Sequence, residues 1–308
     1  MTHPPARTAR RTVLGAAAAL PLAGGAMLLP DRPGTAAPRG PARGPAGAGL
    51  PEVRALERRY GATIGFHAAR TCRGARVLAH RADERAPVHS VFKAYAAAAV
   101  LRDLDRDGEV LDRRVRYDRE DLVTYSPVTG PAVDEGLTVR ELCDAAVRVS
   151  DNTAANLLLR ELGGPGAITR FARSIGDRAT RLDRWETELN SAIPGDPRDT
   201  TTPRQVSRGC AALLVGDALS VPDRAVLRDW MLRSTTSDRR FRAGLPDGWA
   251  LADKTGSGTE TFNDAGVVFP PRGTPFAISA LVRLRRPDVT ASVEIHAELA
   301  RIAVRRLG

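Results

Sequence analysis

At 308 residues the chain is long enough to bury a sizeable core, as one large domain or two intimate subdomains. Its 43% hydrophobic and 27% charged residues are those of an ordinary globular protein. The net charge of +10 comes from scattered basic residues with few aromatics among them and no nucleic-acid motif, so it reads as solvated surface and not as a nucleic-acid footprint. Of the 46 basic residues only Lys93 and Lys254 are lysine. Arginine keeps its proton at any working pH and lysine need not, so a chain this biased toward arginine retains lysine where arginine will not do.

In chain order, residues 1–37 read as an export signal. The pair Arg10-Arg11 precedes a mild apolar run over 14–29, which points to the Tat route and is short for a membrane span. Thr35-Ala36-Ala37 is a candidate cleavage point, and residues 38–50, rich in Pro, Gly, Ala and Arg, form a flexible lead-in. The mature protein is therefore expected to be secreted, outside the cytoplasm. A helix follows over 51–60, stopped by Gly61, and then strands over 62–69 and 75–80.

The stretch 90–101 is nearly all apolar and Ala-rich, which suits a helix buried on most sides. Ser90 opens it and Lys93 follows three positions later on the same face, so hydroxyl and ammonium can meet. A lysine buried there must pair or lose its proton, and a weak hydroxyl nucleophile thereby gains a neighbouring base. The same two residues also fit an N-cap serine and a lysine whose head reaches solvent.

Residues 125–130 form a turn-rich loop. Thr138 and Glu141 make a capping box for a helix to about 149, and Ser150-Asp151-Asn152 interrupts it. A helix over 152–162 ends at Gly163-Gly164. Residues 183–200 read as a packed Ω-type loop. Thr202 and Pro203 open another helix, and 223–232 is helical. Strands over 249–254, 265–269 and 276–284 and a terminal helix over 291–307 complete the chain.

Strands at both ends with helices between them indicate an α/β (α+β) fold. An antiparallel sheet flanked by helices is built from 51–85 and 236–308, and an all-α domain over 86–235 is inserted between its halves. Cys72, Cys143 and Cys210 form neither a zinc pattern nor a disulfide framework. No metal and no cofactor are expected, and the protein is expected to be a disulfide-free monomer.

Three motifs stand in order: Ser90-x-x-Lys93, Ser150-Asp151-Asn152 and Lys254-Thr255-Gly256. Together they resemble the penicillin-recognising serine enzymes. Arg184-Trp185-Glu186-Thr187-Glu188-Leu189-Asn190 is similar to the Ω-loop signature of class A β-lactamases, and the resemblance runs from about residue 50 to the C-terminus. It implies a small-molecule β-lactam substrate and an active site between the sheet and the inserted helical domain, while the scattered charge and the short apolar run argue against nucleic acid and stable membrane insertion.

The resemblance makes Ser90 the nucleophile, with its proton going to Lys93 or through a water to Glu186, and Ser150 the relay to the departing nitrogen. Glu186 and Asn190 would hold the deacylating water. Lys254, Thr255 and Ser257 would bind the substrate carboxylate, with Gly256 between them, and the N–H groups of Ser90 and Ser257 would form the oxyanion hole. Asn152 would bind the side-chain amide, Tyr125 would wall or contact the cleft, and Arg184 with Asp199 would close the Ω-loop.

Three positions depart from the pattern: Thr187 stands where proline is common, Ala97 leaves Cys143 without a disulfide partner, and 259–264 lacks an arginine. Arg240 would supply that guanidinium with little effect on stability, while Arg242 would form a buried link to Asp253. His89 reads as a wall residue. A DD-peptidase or transpeptidase-like penicillin-binding protein shares the three motifs but has no use for Glu186 with Asn190, and a non-hydrolysing β-lactam sensor would need a signalling segment, of which the sequence shows no sign.

Overall fold

The structure, a computed structural model, describes residues 49–72 and 74–308, so the expected export signal lies outside the described residues. Helix α1 (Pro51–Tyr60) has proline in its first turn, Arg58 and Arg59 in its last, and Gly61 as its left-handed cap. The chain turns there into β1 (Ala62–Arg70), which pairs with β2 (Val77–His80).

Next come β3 (Ala86–Pro87), a 3-10 turn at His89–Val91 and α2 (Phe92–Ala99), then β4 (Arg114–Val115), β5 (Leu137–Thr138), α3 (Val139–Asp144), α4 (Asn152–Glu161) and α5 (Gly166–Ser174). After the Ω-loop follow β6 (Thr200–Thr201), α6 (Pro203–Leu214) and α7 (Val221–Leu232). The chain then returns as β7 (Ala250–Ser257), β8 (Thr261–Phe269) and β9 (Phe276–Leu284), and closes with α8 (Val289–Leu307). The five-stranded sheet runs β2-β1-β9-β8-β7, every pair antiparallel. This is the fold class expected from the pattern of elements.

Alternation along the strands divides the apolar residues between two cores. Leu251, Val268, Phe276 and Ile278 face α1 and α8, against Val53, Leu56, Ile295 and Leu299. Ala252, Ala265, Val267 and Ala277 face the other way, toward Tyr95, Leu158, Phe171, Val206 and Trp230 of the helices. Small side chains on that face let α6 and α7 lie close on the sheet. Helix α2 runs through the middle of the helical core with all eight residues buried, which its run of alanines makes sterically possible.

Several elements differ from the sequence expectation. The stretch 90–101 is not one regular helix: it enters as a 3-10 turn and leaves as a π turn over Val100–Leu104, and 139–149 likewise ends in a π turn over Ala145–Val149. Helix α5 was not anticipated, although Ile168, Phe171 and Ala172 have helical spacing. Strand β7 runs on to Ser257 and β8 starts at Thr261, well beyond the expected limits. Both faces of these strands are buried, so their polar residues lie inside and the period-two signal is lost. Thr202 caps α6 as expected, its hydroxyl accepting from Gln205 N, and Pro203 stands in the first turn.

Candidate active site

Ser90 stands in the 3-10 turn leading into α2, and Lys93 lies inside that helix. Fully buried, the Lys93 ammonium donates to Ser150 O at 2.8 Å and to Asn152 Oδ1 at 2.5 Å, and it lies 3.1 Å from Glu186 Oε1. Ser150 Oγ is at 3.4 Å. Burial lowers the Lys93 pKa, and the carboxylate of Glu186 opposes that shift. Ser90 Oγ donates to the same Glu186 Oε1, at 3.4 Å. The direct Ser90–Lys93 contact that the spacing allows is replaced by a carboxylate that both share.

Each group is held by a distinct local device. Ser150 takes φ 65° at the end of the π turn. Asp151, wholly buried, caps α4 through Ala154 N and accepts from Val128 N, Thr129 N and Thr129 Oγ1, tying the 125–130 loop to this corner. Tyr125 stands exposed on the rim, its carbonyl accepting from Asn152 N.

Glu186 is clamped at its backbone. Its N–H donates to Asn156 Oδ1 at 2.9 Å, and Asn156 Nδ2 donates to its carbonyl at 2.8 Å. Asn190 Nδ2 donates to Glu186 Oε2 at 2.7 Å. Arg184 and Asp199 close the loop base at 2.5 Å, as expected.

Strand β7 supplies Lys254, Thr255, Gly256 and Ser257. Lys254 is fully buried and donates to Thr255 O at 2.9 Å; burial first, then the charge of Lys93, depresses its pKa to about 7. A Cβ at Gly256 would meet His89 Cβ at 2.8 Å and Ser90 N at 3.1 Å, so glycine is what lets β7 approach the nucleophile.

Arg240 is only 8% exposed. Its Nη2 donates to Ser257 Oγ at 2.7 Å, and its Nη1 donates to Gly256 O at 3.2 Å and to Asn263 O. The expectation that removing Arg240 would barely touch stability is therefore corrected, because it is a buried strut across β7 and β8. Arg242 does meet Asp253, at 3.3 Å, but remains about a third exposed, at 32%, and so is less buried than expected.

A cleft of about 350 Å³ is lined by Ser90, Tyr125, Ser150, Asn152, Asn190, Thr236, Arg240, Thr255, Gly256 and Ser257, with Lys93, Glu186 and Lys254 buried behind that wall. All twelve candidate residues thus converge. The sequence reading missed Asn156, which lies one helical turn after Asn152, and Thr236, whose hydroxyl is 2.6 Å from that of Thr255. Among the described residues no group of His, Cys, Asp and Glu side chains gathers as a metal site would need.

Fold and cleft together are those of the penicillin-recognising serine enzymes. The profile of the β-lactamase enzyme family matches residues 51–307. The β-lactamase of Streptomyces fradiae is 51% identical over 310 residues, covering 98% of each chain. β-Lactamase FAR-1 of Nocardia farcinica (strain IFM 10152) is 49% identical over 257 residues, covering 83% of this chain and 82% of its own. Among solved structures, the β-lactamase from Streptomyces albus G matches with a TM-score of 0.80 at 50% identity, covering 83% of this chain and 98% of that one. An ancestral (GNCA) class A β-lactamase matches with a TM-score of 0.79 at 50% identity, covering 82% and 98%. The chain belongs to the β-lactamase enzyme family, and within it to class A.

Proposed function

We propose that the protein hydrolyses the β-lactam amide of penicillins and cephalosporins through a Ser90 acyl-enzyme, and so confers antibiotic resistance. Ser90 Oγ attacks the lactam carbonyl, its proton leaving toward Glu186, which it already faces and which shares Lys93. The backbone N–H groups of Ser90 and Ser257 receive the developing oxyanion. As the carbon–nitrogen bond breaks, Ser150 passes a proton to the departing nitrogen and is resupplied through Lys93 with the proton that Glu186 took up, which leaves Glu186 ionised again. Lys254, Thr255, Ser257 and Arg240 hold the substrate carboxylate, Asn152 its side-chain amide, and Tyr125 the open side. Glu186 and Asn190 then activate the water that cleaves the ester and restores Ser90.

The cleft is read as the seam between the part built from 51–85 and 236–308 and the helical part 86–235. The enzyme works as a monomer outside the cytoplasm, exported by the Tat-type signal over 1–37.

One observation carries this reading: a buried carboxylate within reach of both Ser90 and Lys93, oriented by Asn190 and clamped by Asn156. A peptidase or a sensor has no use for such an arrangement. With a chromogenic cephalosporin the protein should show sustained turnover, and Glu186→Gln should accumulate a penicilloyl adduct on Ser90, seen by mass spectrometry. A single stoichiometric burst from the unaltered protein would sink the reading in favour of a penicillin-binding protein or sensor.

A further inference from the structure

We infer that His89 is a positioning residue for the hydrolytic step, holding the Asn190 amide in the one orientation that presents its N–H to Glu186. The inference rests on the deacylating role proposed for Glu186. His89 immediately precedes Ser90 and is wholly buried. Its ring bridges two distant segments: Nδ1 lies 2.8 Å from Asn190 Oδ1 on the Ω-loop, and Nε2 lies 2.5 Å from Thr261 Oγ1 on β8.

The polarity of this chain of contacts is forced from one end. An ionised carboxylate only accepts, so the Asn190 atom 2.7 Å from Glu186 Oε2 is the amide nitrogen. The amide oxygen then faces the imidazole, and because it too only accepts, Nδ1 must carry the proton. In the neutral ring Nε2 is left as an acceptor, which the Thr261 hydroxyl satisfies. Burial lowers the His89 pKa, favouring that neutral ring. Turning the amide over would set N–H against N–H at His89 and oxygen against carboxylate at Glu186.

The seat for the ring is built into β7 and the turn that follows it. A Cβ at Gly256 would meet His89 Cβ at 2.8 Å, and one at Gly258 would meet His89 Cε1 at 2.7 Å, so a side chain at either position would displace the imidazole. His89 acts through Asn190, and the cleft lining includes Asn190 but not His89.

Substitutions can separate the two ring nitrogens. An asparagine amide reaches about as far from Cβ as Nδ1 does, and asparagine accepts the φ of 47° found at position 89; glutamine reaches only toward Nε2. Steady-state kinetics on a chromogenic cephalosporin, penicilloyl adducts by mass spectrometry and thermal melts are measured for His89→Asn, His89→Gln, Thr261→Val and Glu186→Gln. His89→Gln should lose about tenfold or more in kcat with kcat/KM within about threefold, and should show adduct at steady state. His89→Asn should keep kcat within about threefold of the unaltered enzyme.

If His89→Gln does not fold, Thr261→Val reads the same chain from its other end. Without the hydroxyl Nε2 loses its partner and the ring its second tether, so its hold on the Asn190 amide loosens and kcat should fall about threefold or more while kcat/KM is retained. Unchanged kcat in the variants at 89 and 261, or equal losses in kcat and kcat/KM with no rescue by His89→Asn, overturns the inference. If Glu186→Gln still accumulates adduct in that case, the hydrolytic reading stands alone; if it does not, both fall.

Discussion

Arg240→Ala probes a side chain that faces the cleft and braces the strands behind it. The guanidinium donates to Ser257 Oγ and to the carbonyls of Gly256 and Asn263, and it is almost wholly desolvated. Against a substrate carboxylate, loss of a charge-assisted hydrogen bond costs about 1.5–3 kcal/mol, or about ten- to a hundredfold in kcat/KM. The same deletion takes a donor from two carbonyls and removes the charge that offsets the buried carboxyls of Asp253 and Asp264. Burial pushes the pKa of both acids up, and Arg240 opposes this at Asp264.

The stability loss is then roughly 2–3 kcal/mol, set by unsatisfied buried acceptors. For a folded body of this size that is roughly 4–12 °C in Tm. Arg240→Lys restores the charge but not the fork, so it should recover part of the stability and little of kcat/KM. Kinetics on a penicillin and thermal melts of both variants make the test. A kcat/KM within about twofold for Arg240→Ala would refute the carboxylate anchor, and a Tm within about 1 °C would refute the strut.

Lys254 should impose an alkaline limb on kcat/KM, because its pKa of about 7 means the free enzyme loses the anchoring charge as pH rises through that value. In stability the sign is opposite: the folded pKa lies below the unfolded one, so the burial penalty is full below pH 7 and is relieved toward about pH 10.4. A kcat/KM profile on a carboxylate substrate that stays flat from pH 6 to 9 would exclude the first effect. Asn156→Ala removes both hydrogen bonds to the Glu186 peptide and should cost roughly 1–3 kcal/mol in denaturant unfolding while slowing deacylation. An unchanged unfolding midpoint would show that the clamp is idle. Cys72, Cys143 and Cys210 are all free, so thiol titration of denatured, unreduced protein should find three; finding one would reveal a disulfide.

What the sequence determined by itself was the part of the chemistry written at short range. Ser90 and Lys93 share a helix face, Glu186 and Asn190 sit four apart in the Ω-loop, and Lys254 to Ser257 follow one another on a strand; each spacing is imposed by one element's geometry. The buried helix was legible from its alanines, and β9 from its run over 276–284, where expected and observed limits coincide.

Tertiary structure decided the rest. Helical spacing allowed Ser90 to meet Lys93, yet the carboxylate between them arrives from a loop almost a hundred residues further on. Arg239, Arg240 and Arg242 look alike in a chain of many arginines, and only the hydrogen bonds of Arg240 to Gly256, Ser257 and Asn263 on β7 and β8 show that it is the buried one. His89 read as a wall residue because its partners, Asn190 and Thr261, lie on two other segments. Local pattern reports backbone periodicity and caps, whereas burial and hydrogen-bond partnership exist only once distant segments have closed on one another.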